Sequence, residues 1–268
     1  MNTEHQDQYI AGSFKENGYY LAPAVFTGAL LDKMEAEFDR IVDQLQRSGE
    51  DINARWQGAE MDRLDGGSSE IIHTHNVQRY SAVWLNAFLH ASFLDIAEHF
   101  LGPDIILHHS KLFQKPPRHG APFPMHQDWG YFPTAKDSMI AAIIFISDAD
   151  DASGGLRVYP GSNKLGRMED SLGMEVEERG IAPSEELRKY PLEKATPLSA
   201  KRGDVLFFHY FTLHGSMPNT SDQTRKTVLV QMHAGDDRVI EHKIDQSHDP
   251  LALRGWNHHM TREKARRE

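Results

Sequence analysis

Hydrophobic positions in the first hundred residues follow helical spacings. Apolar side chains recur three and four residues apart, which predicts an amphipathic helix, at Leu30, Leu31, Met34, Phe38, Ile41, Val42 and Leu45. Thr27 can cap the start of this helix, and Gly49 can end it. A second helix is predicted over residues 87–100, because the apolar spacing there stops at Gly102 and Pro103.

The pattern changes after Pro103. Short runs rich in β-branched and aromatic residues follow, separated by Pro, Gly, Asn and Asp, at residues 105–113, 139–147, 156–159, 204–214 and 224–233. Strands of this length between turn signals favour a sandwich or barrel over a β-α-β sheet. Residues 139–146 are apolar on both faces, which predicts a central strand that is covered on both sides. The sequence therefore predicts a mainly β core with helices packed on its outer face. No linker divides the chain, so residues 1–268 are expected to form a single domain.

Composition narrows the possible functions. The 268 residues include no cysteine, which excludes disulfides, thiolate metal sites and a cysteine nucleophile. Acidic residues outnumber basic ones by 39 to 29, whereas a nucleic-acid partner needs a basic face. The first residues show no signal-peptide pattern, and the longest apolar run is far shorter than the ~20 residues of a membrane span. We therefore expect a cytoplasmic protein without a nucleic-acid or membrane partner.

Histidine is the unusual feature, with 16 copies. His126 and Asp128 are two residues apart, so on a strand both side chains point to one face and can bind one ion. Chance alone predicts about one His-x-Asp pair in a chain of this composition, and His5 and Asp7 form a second copy in a terminal segment that is expected to be disordered. Context favours His126, which follows a turn-rich stretch and precedes the buried strand.

A third ligand and an anion anchor are available downstream. His214 ends a predicted strand, and alternation along the next strand places Arg225, Thr227, Leu229 and Gln231 on one inner face. Two histidines and one carboxylate form the ligand set of non-haem Fe(II) oxygenases, which leaves three positions for a co-substrate and dioxygen. The guanidinium of Arg225 can clamp the far carboxylate of a dicarboxylate co-substrate.

Four motifs carry a resemblance to a known family. They are HHSKLFQKPP at 108–117, HQDWGYFP at 126–133, GGLRVYPGSNK at 154–164 and HGSMPNTSDQTRK at 214–226, with a looser FKENGYYLAPAVF at 14–26. In this order and spacing, the motifs resemble the phytanoyl-CoA dioxygenase family of Fe(II)/2-oxoglutarate oxygenases. The resemblance spans nearly the whole chain and is far more specific than the His-x-Asp tripeptide.

The resemblance implies a fold and a site. The fold would be a double-stranded β-helix, a cupin-like jelly roll. The iron ligands would be His126, Asp128 and His214, and Arg225 would bind 2-oxoglutarate. Weaker expectations place Ser216, Gln127 and Lys111 near the co-substrate, while Thr227 is added from strand alternation alone.

The resemblance also implies an activity. A 2-oxoglutarate-dependent dioxygenase of this family uses Fe(II) and dioxygen to hydroxylate an unactivated C–H bond, here of a small metabolite or an acyl-CoA, and releases succinate and CO2. Lys115, Arg118 and Lys164 are scattered candidates for binding CoA phosphates, and the intact Asp128 disfavours halogenation. One alternative is a non-catalytic jelly roll that binds a metal or ligand. Another is a zinc hydrolase with the same ligands, although it lacks a placed general base and leaves Arg225 without a role. The sequence indicates no particular oligomeric state.

Overall fold

The computed structural model describes residues 3–56, 58–169, 185–240 and 250–267. The described α-helices are α1 (Thr3–Asn17), α2 (Gly28–Ser48), α3 (Ala59–Asp65), α4 (Ala82–Phe88), α5 (Ala91–Leu101) and α6 (Lys264–Arg267). The described strands are β1 (Tyr19–Ala22), β2 (Ile72–His75), β3 (Ile105–Lys115), β4 (Phe123–His126), β5 (Ile140–Phe145), β6 (Leu156–Val158), β7 (Thr196–Pro197), β8 (Val205–His209), β9 (His214–Ser216), β10 (Arg225–Ala234) and β11 (Leu251–Arg254).

Two antiparallel sheets form the core. The larger sheet has the order β1-β8-β5-β10-β3-β11, and β2 also pairs with β3. The smaller sheet has the order β4-β9-β6-β7. Apolar side chains from both sheets pack together between them, among them Phe145 and Phe208 from the larger sheet and Val158 from the smaller. The predicted mainly β jelly roll is therefore confirmed.

The helices cover the other face of the larger sheet. Met34, Phe38 and Ile41 of α2 are fully buried against strand residues of that face. Gly49 ends α2 in the left-handed conformation, with a φ of 73°, as glycine does readily. Thr27 occupies the N-cap position, although its side chain makes no capping hydrogen bond. Among the described helices, none combines the length and the apolar character that a membrane crossing requires.

Three expectations about local structure were wrong. The region predicted as one helix over 87–100 contains the end of α4 and most of α5. The two helices are separate because His90, the N-cap residue of α5, has an extended backbone. The predicted strand over 204–214 is β8 and β9, separated by a turn in which Thr212 N–H donates to the His209 carbonyl. That turn carries the chain from the larger sheet to the smaller one. The segment around His5 is helical, because Ile10 and Phe14 of α1 are buried and Phe14 stacks on Phe100.

Candidate active site

Pairing of β4 with β9 brings the two candidate histidine ligands together. His126 lies directly opposite His214 in the antiparallel register, and Asp128 follows β4 at the start of a short 3-10 turn. The Asp128 Oδ1 atom lies 3.4 Å from His126 Nε2 and 3.6 Å from His214 Nε2. All three side chains are buried. Residues far apart in sequence thus converge on one point, where β4 ends and β9 begins.

Backbone carbonyls fix the orientation of both imidazoles. His126 Nδ1 donates to the Pro124 carbonyl at 2.8 Å, and His214 Nδ1 donates to the Thr212 carbonyl at 2.9 Å. Because each Nδ1 carries the proton, each Nε2 presents a lone pair to the shared centre. Burial, reinforced by the nearby His126, lowers the pKa of His214 to about 4. His214 is therefore neutral at neutral pH, which is the form that binds a metal.

The carboxylate is held by a glutamine from the larger sheet. Gln231 Nε2 donates to Asp128 Oδ2 at 2.6 Å, while Oδ1 faces the histidines. Burial by itself raises the pKa of Asp128, but His214, His126 and the Gln231 amide outweigh it and lower that pKa to about 2. Asp128 is therefore ionised across the physiological range.

The donor set fits a divalent metal ion. The ligand atoms of His126, Asp128 and His214 all lie within 4.8 Å of one another, and no other set of three or more His, Asp or Glu in the described chain comes this close. Ligands bound at about 2.1 Å at right angles around one ion stand about 3 Å apart. Two imidazoles and one carboxylate suit Fe(II) with open positions. The described residues thus fit the Fe(II) ion that the resemblance implies.

A cavity of about 240 Å³ extends from this centre toward Arg225. Arg225, Thr227, Leu229 and Gln231 all line it, as strand alternation predicts. Arg225 Nη1 donates to the Gly154 carbonyl, but Arg225 Nε and Thr227 Oγ1 are buried without a hydrogen-bond partner. Burial lowers the pKa of Arg225 to about 10, so it remains a cation. Unsatisfied buried donors are costly, and a ligand carboxylate would satisfy them.

Lys115 is a residue of this anchor that sequence reasoning missed. Its side chain is fully buried beside Arg225, its cross-strand neighbour. Lys115 Nζ lies 2.7 Å from Ser216 Oγ and 2.8 Å from the Met217 carbonyl. Lys115 Nζ is the donor to Ser216 Oγ, so the Ser216 hydroxyl keeps its own proton for a ligand in the cavity. Alternation on β3 places Lys115 on the same inner face as Lys111, a signal that was available in the sequence.

Gly154 permits this arrangement. Its φ is 71°, and an added Cβ would lie 2.7 Å from the Met217 carbonyl and 3.1 Å from Lys115 Nζ. The Gly154 carbonyl also accepts from Lys115 at 3.4 Å. Burial, and then the charge of Arg225, lower the pKa of Lys115 well below its usual value. No described carboxylate forms an ion pair with Arg225, so the anchor lacks a countercharge that an anionic ligand would supply.

Gln127 does not face the cavity, contrary to the sequence expectation. Its side chain is fully buried on the side opposite His126 and Asp128, because successive residues of extended chain point in opposite directions. Gln127 Nε2 donates to the Gly166 and Phe211 carbonyls, and Gln127 Oε1 accepts from Met168 N–H. All of these partners are backbone groups. Gln127 therefore holds the segment that carries the ligands and has no group left for the co-substrate.

The scattered basic residues do not form a CoA phosphate site. Arg118 is exposed and pairs with Asp222, and Lys164 pairs with Glu16 at 2.5 Å. Lys115 is enclosed behind Ser216 and does not line the cavity. By contrast, Lys111 does line the cavity.

Comparisons with known proteins show sequence similarity to one family. The family model described as phytanoyl-CoA dioxygenase matches residues 14–227. A probable alpha-ketoglutarate-dependent hypophosphite dioxygenase of Stutzerimonas stutzeri is 35% identical over 53% of this chain and 50% of its own length. The peroxisomal phytanoyl-CoA dioxygenase of Rattus norvegicus is 26% identical over 86% of this chain and 69% of its own.

Solved structures share the fold. The non-heme alpha ketoglutarate dependent carbocyclase SnoK from nogalamycin biosynthesis superposes with a TM-score of 0.73 at 22% identity, over 91% of this chain and 93% of that one. The family match covers most of the chain, and the alternative of a non-catalytic jelly roll is not favoured. The chain therefore belongs to the phytanoyl-CoA dioxygenase family of Fe(II)- and 2-oxoglutarate-dependent oxygenases.

Proposed function

We propose that the protein hydroxylates a small molecule in a reaction that consumes 2-oxoglutarate and dioxygen. His126, Asp128 and His214 would hold Fe(II), and Arg225, Thr227 and Ser216 would bind the distal carboxylate of 2-oxoglutarate. The observation that carries the proposal is the pairing of a three-ligand centre with an anion anchor that lacks a countercharge, in one cavity. The chain spans half the length of its hypophosphite-oxidising relative, so the activity of the whole protein is part of the proposal.

With iron bound, the centre supplies an oxidant that converts R–H, 2-oxoglutarate and O2 into R–OH, succinate and CO2. The residues of the chain orient the metal ligands and the co-substrate and exclude water. Gln231 holds Asp128 Oδ2, so that Oδ1 faces the two histidines and would be the oxygen that binds the metal. Arg225 and Thr227 offer buried donors that bind a carboxylate more strongly than water does. Trp56 packs edge-on against His126, with ring centroids 5.3 Å apart, and lines the cavity.

The test is binding of 2-oxoglutarate to protein that is loaded anaerobically with Fe(II). We expect Arg225→Met to weaken this binding by about tenfold or more, as loss of a charge-assisted pair does. Lys226→Met is the matched control, because Lys226 is the next residue of β10 and pairs with Glu35 and Asp39 on the outer face. Equal affinity in the wild type and Arg225→Met, or tight zinc binding without 2-oxoglutarate binding, would contradict the proposal. A cytoplasmic location stays a prediction of the sequence.

A further inference from the structure

Lys111 is a cation that neither the metal centre nor the Arg225 anchor uses. It lies on β3, opposite Leu229 of β10 and His75 of β2, with its side chain on the inner face. Lys111 Nζ has no hydrogen bond and no ion pair within the described parts of the chain. Burial lowers the pKa of Lys111 to about 8, although the negative charge of Asp128 opposes this. Lys111 is partly buried and lines the cavity, so its ammonium can pair with an anionic ligand group there.

The surroundings of Lys111 suit an oxyanion. His73 and His75 line the cavity from the neighbouring strand, with ring centroids 5.1 Å apart. Burial, and then the charge of Lys111, lower the pKa of His73 to about 4 and that of His75 to about 3. Both rings are therefore neutral at neutral pH, and His73 Nδ1 is buried without a partner. A neutral imidazole donates through one nitrogen, so this wall offers the Lys111 cation and a hydrogen-bonding group of His73.

This wall is separate from the proposed co-substrate anchor. Lys111 lies opposite Leu229 of β10. Along β10, Leu229 is the second inward-facing residue after Arg225. Two inner positions correspond to four residues, or about 13 Å of strand. The co-substrate would bind between the metal and Arg225, where Ser216 and Thr227 also lie. Lys111 stands closer to the level of Gln231, which contacts Asp128, on the side where the reacting bond must approach the metal.

The charge balance of the cavity points the same way. Asp128 is the one carboxylate among the described lining residues, against the two cations Lys111 and Arg225. A divalent iron and the dianion of 2-oxoglutarate cancel, so the two lining cations would still outnumber the one lining carboxylate. The loaded cavity would therefore carry excess positive charge. In surroundings of low dielectric constant, this excess attracts an anionic substrate and disfavours a neutral one.

We infer that the substrate is a small molecule with an oxyanion group, either a carboxylate or a phosphorus oxyanion, that pairs with Lys111. The inference rests on the proposed function, whose substrate class it names. The volume agrees, because about 240 Å³ is below the range of pockets for drug-sized ligands, and the co-substrate must share it. A CoA thioester could place only its acyl end here, and the acyl end of a simple fatty acid has no charge for Lys111.

Calorimetric titration of protein that is loaded anaerobically with Fe(II) and 2-oxoglutarate tests the inference. The probes are hypophosphite, methylphosphonate and butyrate, with dimethyl methylphosphonate and butyramide as neutral counterparts. We expect at least one oxyanion to bind and its neutral counterpart to fail. Lys111→Met should weaken oxyanion binding by about tenfold or more while 2-oxoglutarate affinity stays unchanged, and Lys111→Arg should restore much of it. Lys201→Met is the control, because Lys201 is exposed and pairs with Asp148.

The outcomes separate the two proposals. If the wild type fails to bind 2-oxoglutarate, the proposed function fails and this inference fails with it. If 2-oxoglutarate binds but no oxyanion does, or if charged and neutral probes bind equally, only the substrate class is wrong. A parallel loss of 2-oxoglutarate and oxyanion affinity in Lys111→Met would assign Lys111 to the co-substrate and overturn the inference. Preference among the bound probes distinguishes a carboxylate substrate from a phosphorus one.

Discussion

Gln231 donates a 2.6 Å hydrogen bond to Asp128 Oδ2 across the space between the two sheets. This contact joins the larger sheet to the candidate metal centre on the smaller one. It also leaves Asp128 Oδ1 as the oxygen that faces both histidines. Groups that orient a metal ligand in this way commonly contribute strongly to metal affinity.

We predict that Gln231→Leu lowers Fe(II) affinity by about 10- to 100-fold, because Asp128 loses the group that fixes its rotation. Equilibrium titration with Fe(II) under anaerobic conditions measures the change. Gln114→Leu is the matched control, since Gln114 lies on the neighbouring strand β3 and does not line the cavity. Unchanged metal affinity in Gln231→Leu would mean that Asp128 is oriented without its help.

A second prediction concerns Lys115 and Ser216, which are joined by a 2.7 Å hydrogen bond. If Lys115 acts through the hydroxyl of Ser216, then Lys115→Met and Ser216→Ala should each weaken 2-oxoglutarate binding by about tenfold. The double variant should lose little more than either single one, because coupled residues are not additive. Additive losses, measured by titration of all four proteins, would show that the two residues act independently.

Much of the fold and of the site geometry could be predicted from local patterns. The helical spacing in α2 and the two-residue alternation of β10 both depend only on neighbouring residues. That alternation predicts the positions of Arg225, Thr227 and Gln231 on the cavity wall. The family prediction is also confirmed. The assigned roles of the site residues, by contrast, stay predictions until they are tested.

The errors arose where long-range pairing overrides the local pattern. Simple alternation predicts that His108 and His109 face opposite sides of β3. In the structure the β3–β10 register shifts between Gln231 and Met232, and the Nδ1 atoms of the two histidines lie 2.5 Å apart. A β-bulge of this kind adds one residue and ends the alternation. Nothing in the sequence near His108 indicates the bulge, because the partner strand determines it. The role of Gln231 in holding Asp128 was missed for a related reason, since it depends on how the two sheets face each other.

The third prediction follows from the low pKa of Lys111. Burial lowers this pKa from 10.5 to about 8, so the folded protein loses the proton near pH 8 while the unfolded chain keeps it until about pH 10.4. Between these values the unfolded state binds more protons, and the free energy of unfolding therefore rises with pH. Lys111→Met removes this contribution. We expect the wild type to gain stability relative to Lys111→Met as the pH rises from 8 to 10, measured by urea unfolding without added metal.

Lys201 provides a control of opposite sign for this measurement. The hydrogen bond from Lys201 to Asp148, followed by their charge attraction, raises the pKa of Lys201, so its contribution to stability is lost as the pH rises. Relative to Lys201→Met, the wild type should not gain stability over the same range. The groups that face Lys111 are His73, His75 and Asp128, and all three keep one protonation state between pH 8 and 10. A flat difference between wild type and Lys111→Met would contradict the assigned shift.

The last prediction concerns the ion pairs of Arg55, the residue before the cavity-lining Trp56. Arg55 Nη2 lies 2.8 Å from Asp65 Oδ1 and 2.6 Å from Asp62 Oδ1, and the side chains of Arg55 and Asp65 are 7% and 2% exposed. Removing one partner of a buried pair leaves the other charge uncompensated, which costs about 3–5 kcal/mol. Because Asp62 still pairs with Arg55 in Asp65→Ala, we expect a smaller loss in the free energy of unfolding, of about 1.5–3 kcal/mol. Because Trp56 follows Arg55 directly and packs on His126, limited proteolysis should also cut the chain around Trp56 faster.

Arg40→Met is the matched control for that change. Arg40 pairs with Glu37 on the surface of α2, where its side chain is 46% exposed, and exposed pairs contribute about 0–1 kcal/mol. Loss of the Arg40–Glu37 pair should leave the free energy of unfolding nearly unchanged. It should also leave the rate of proteolysis around Trp56 nearly unchanged. Equal losses in Asp65→Ala and Arg40→Met would mean that Asp65 contributes no more than a surface charge. Faster proteolysis without a loss of global stability would instead show that the pair orders the chain around Trp56 locally and leaves the core unaffected.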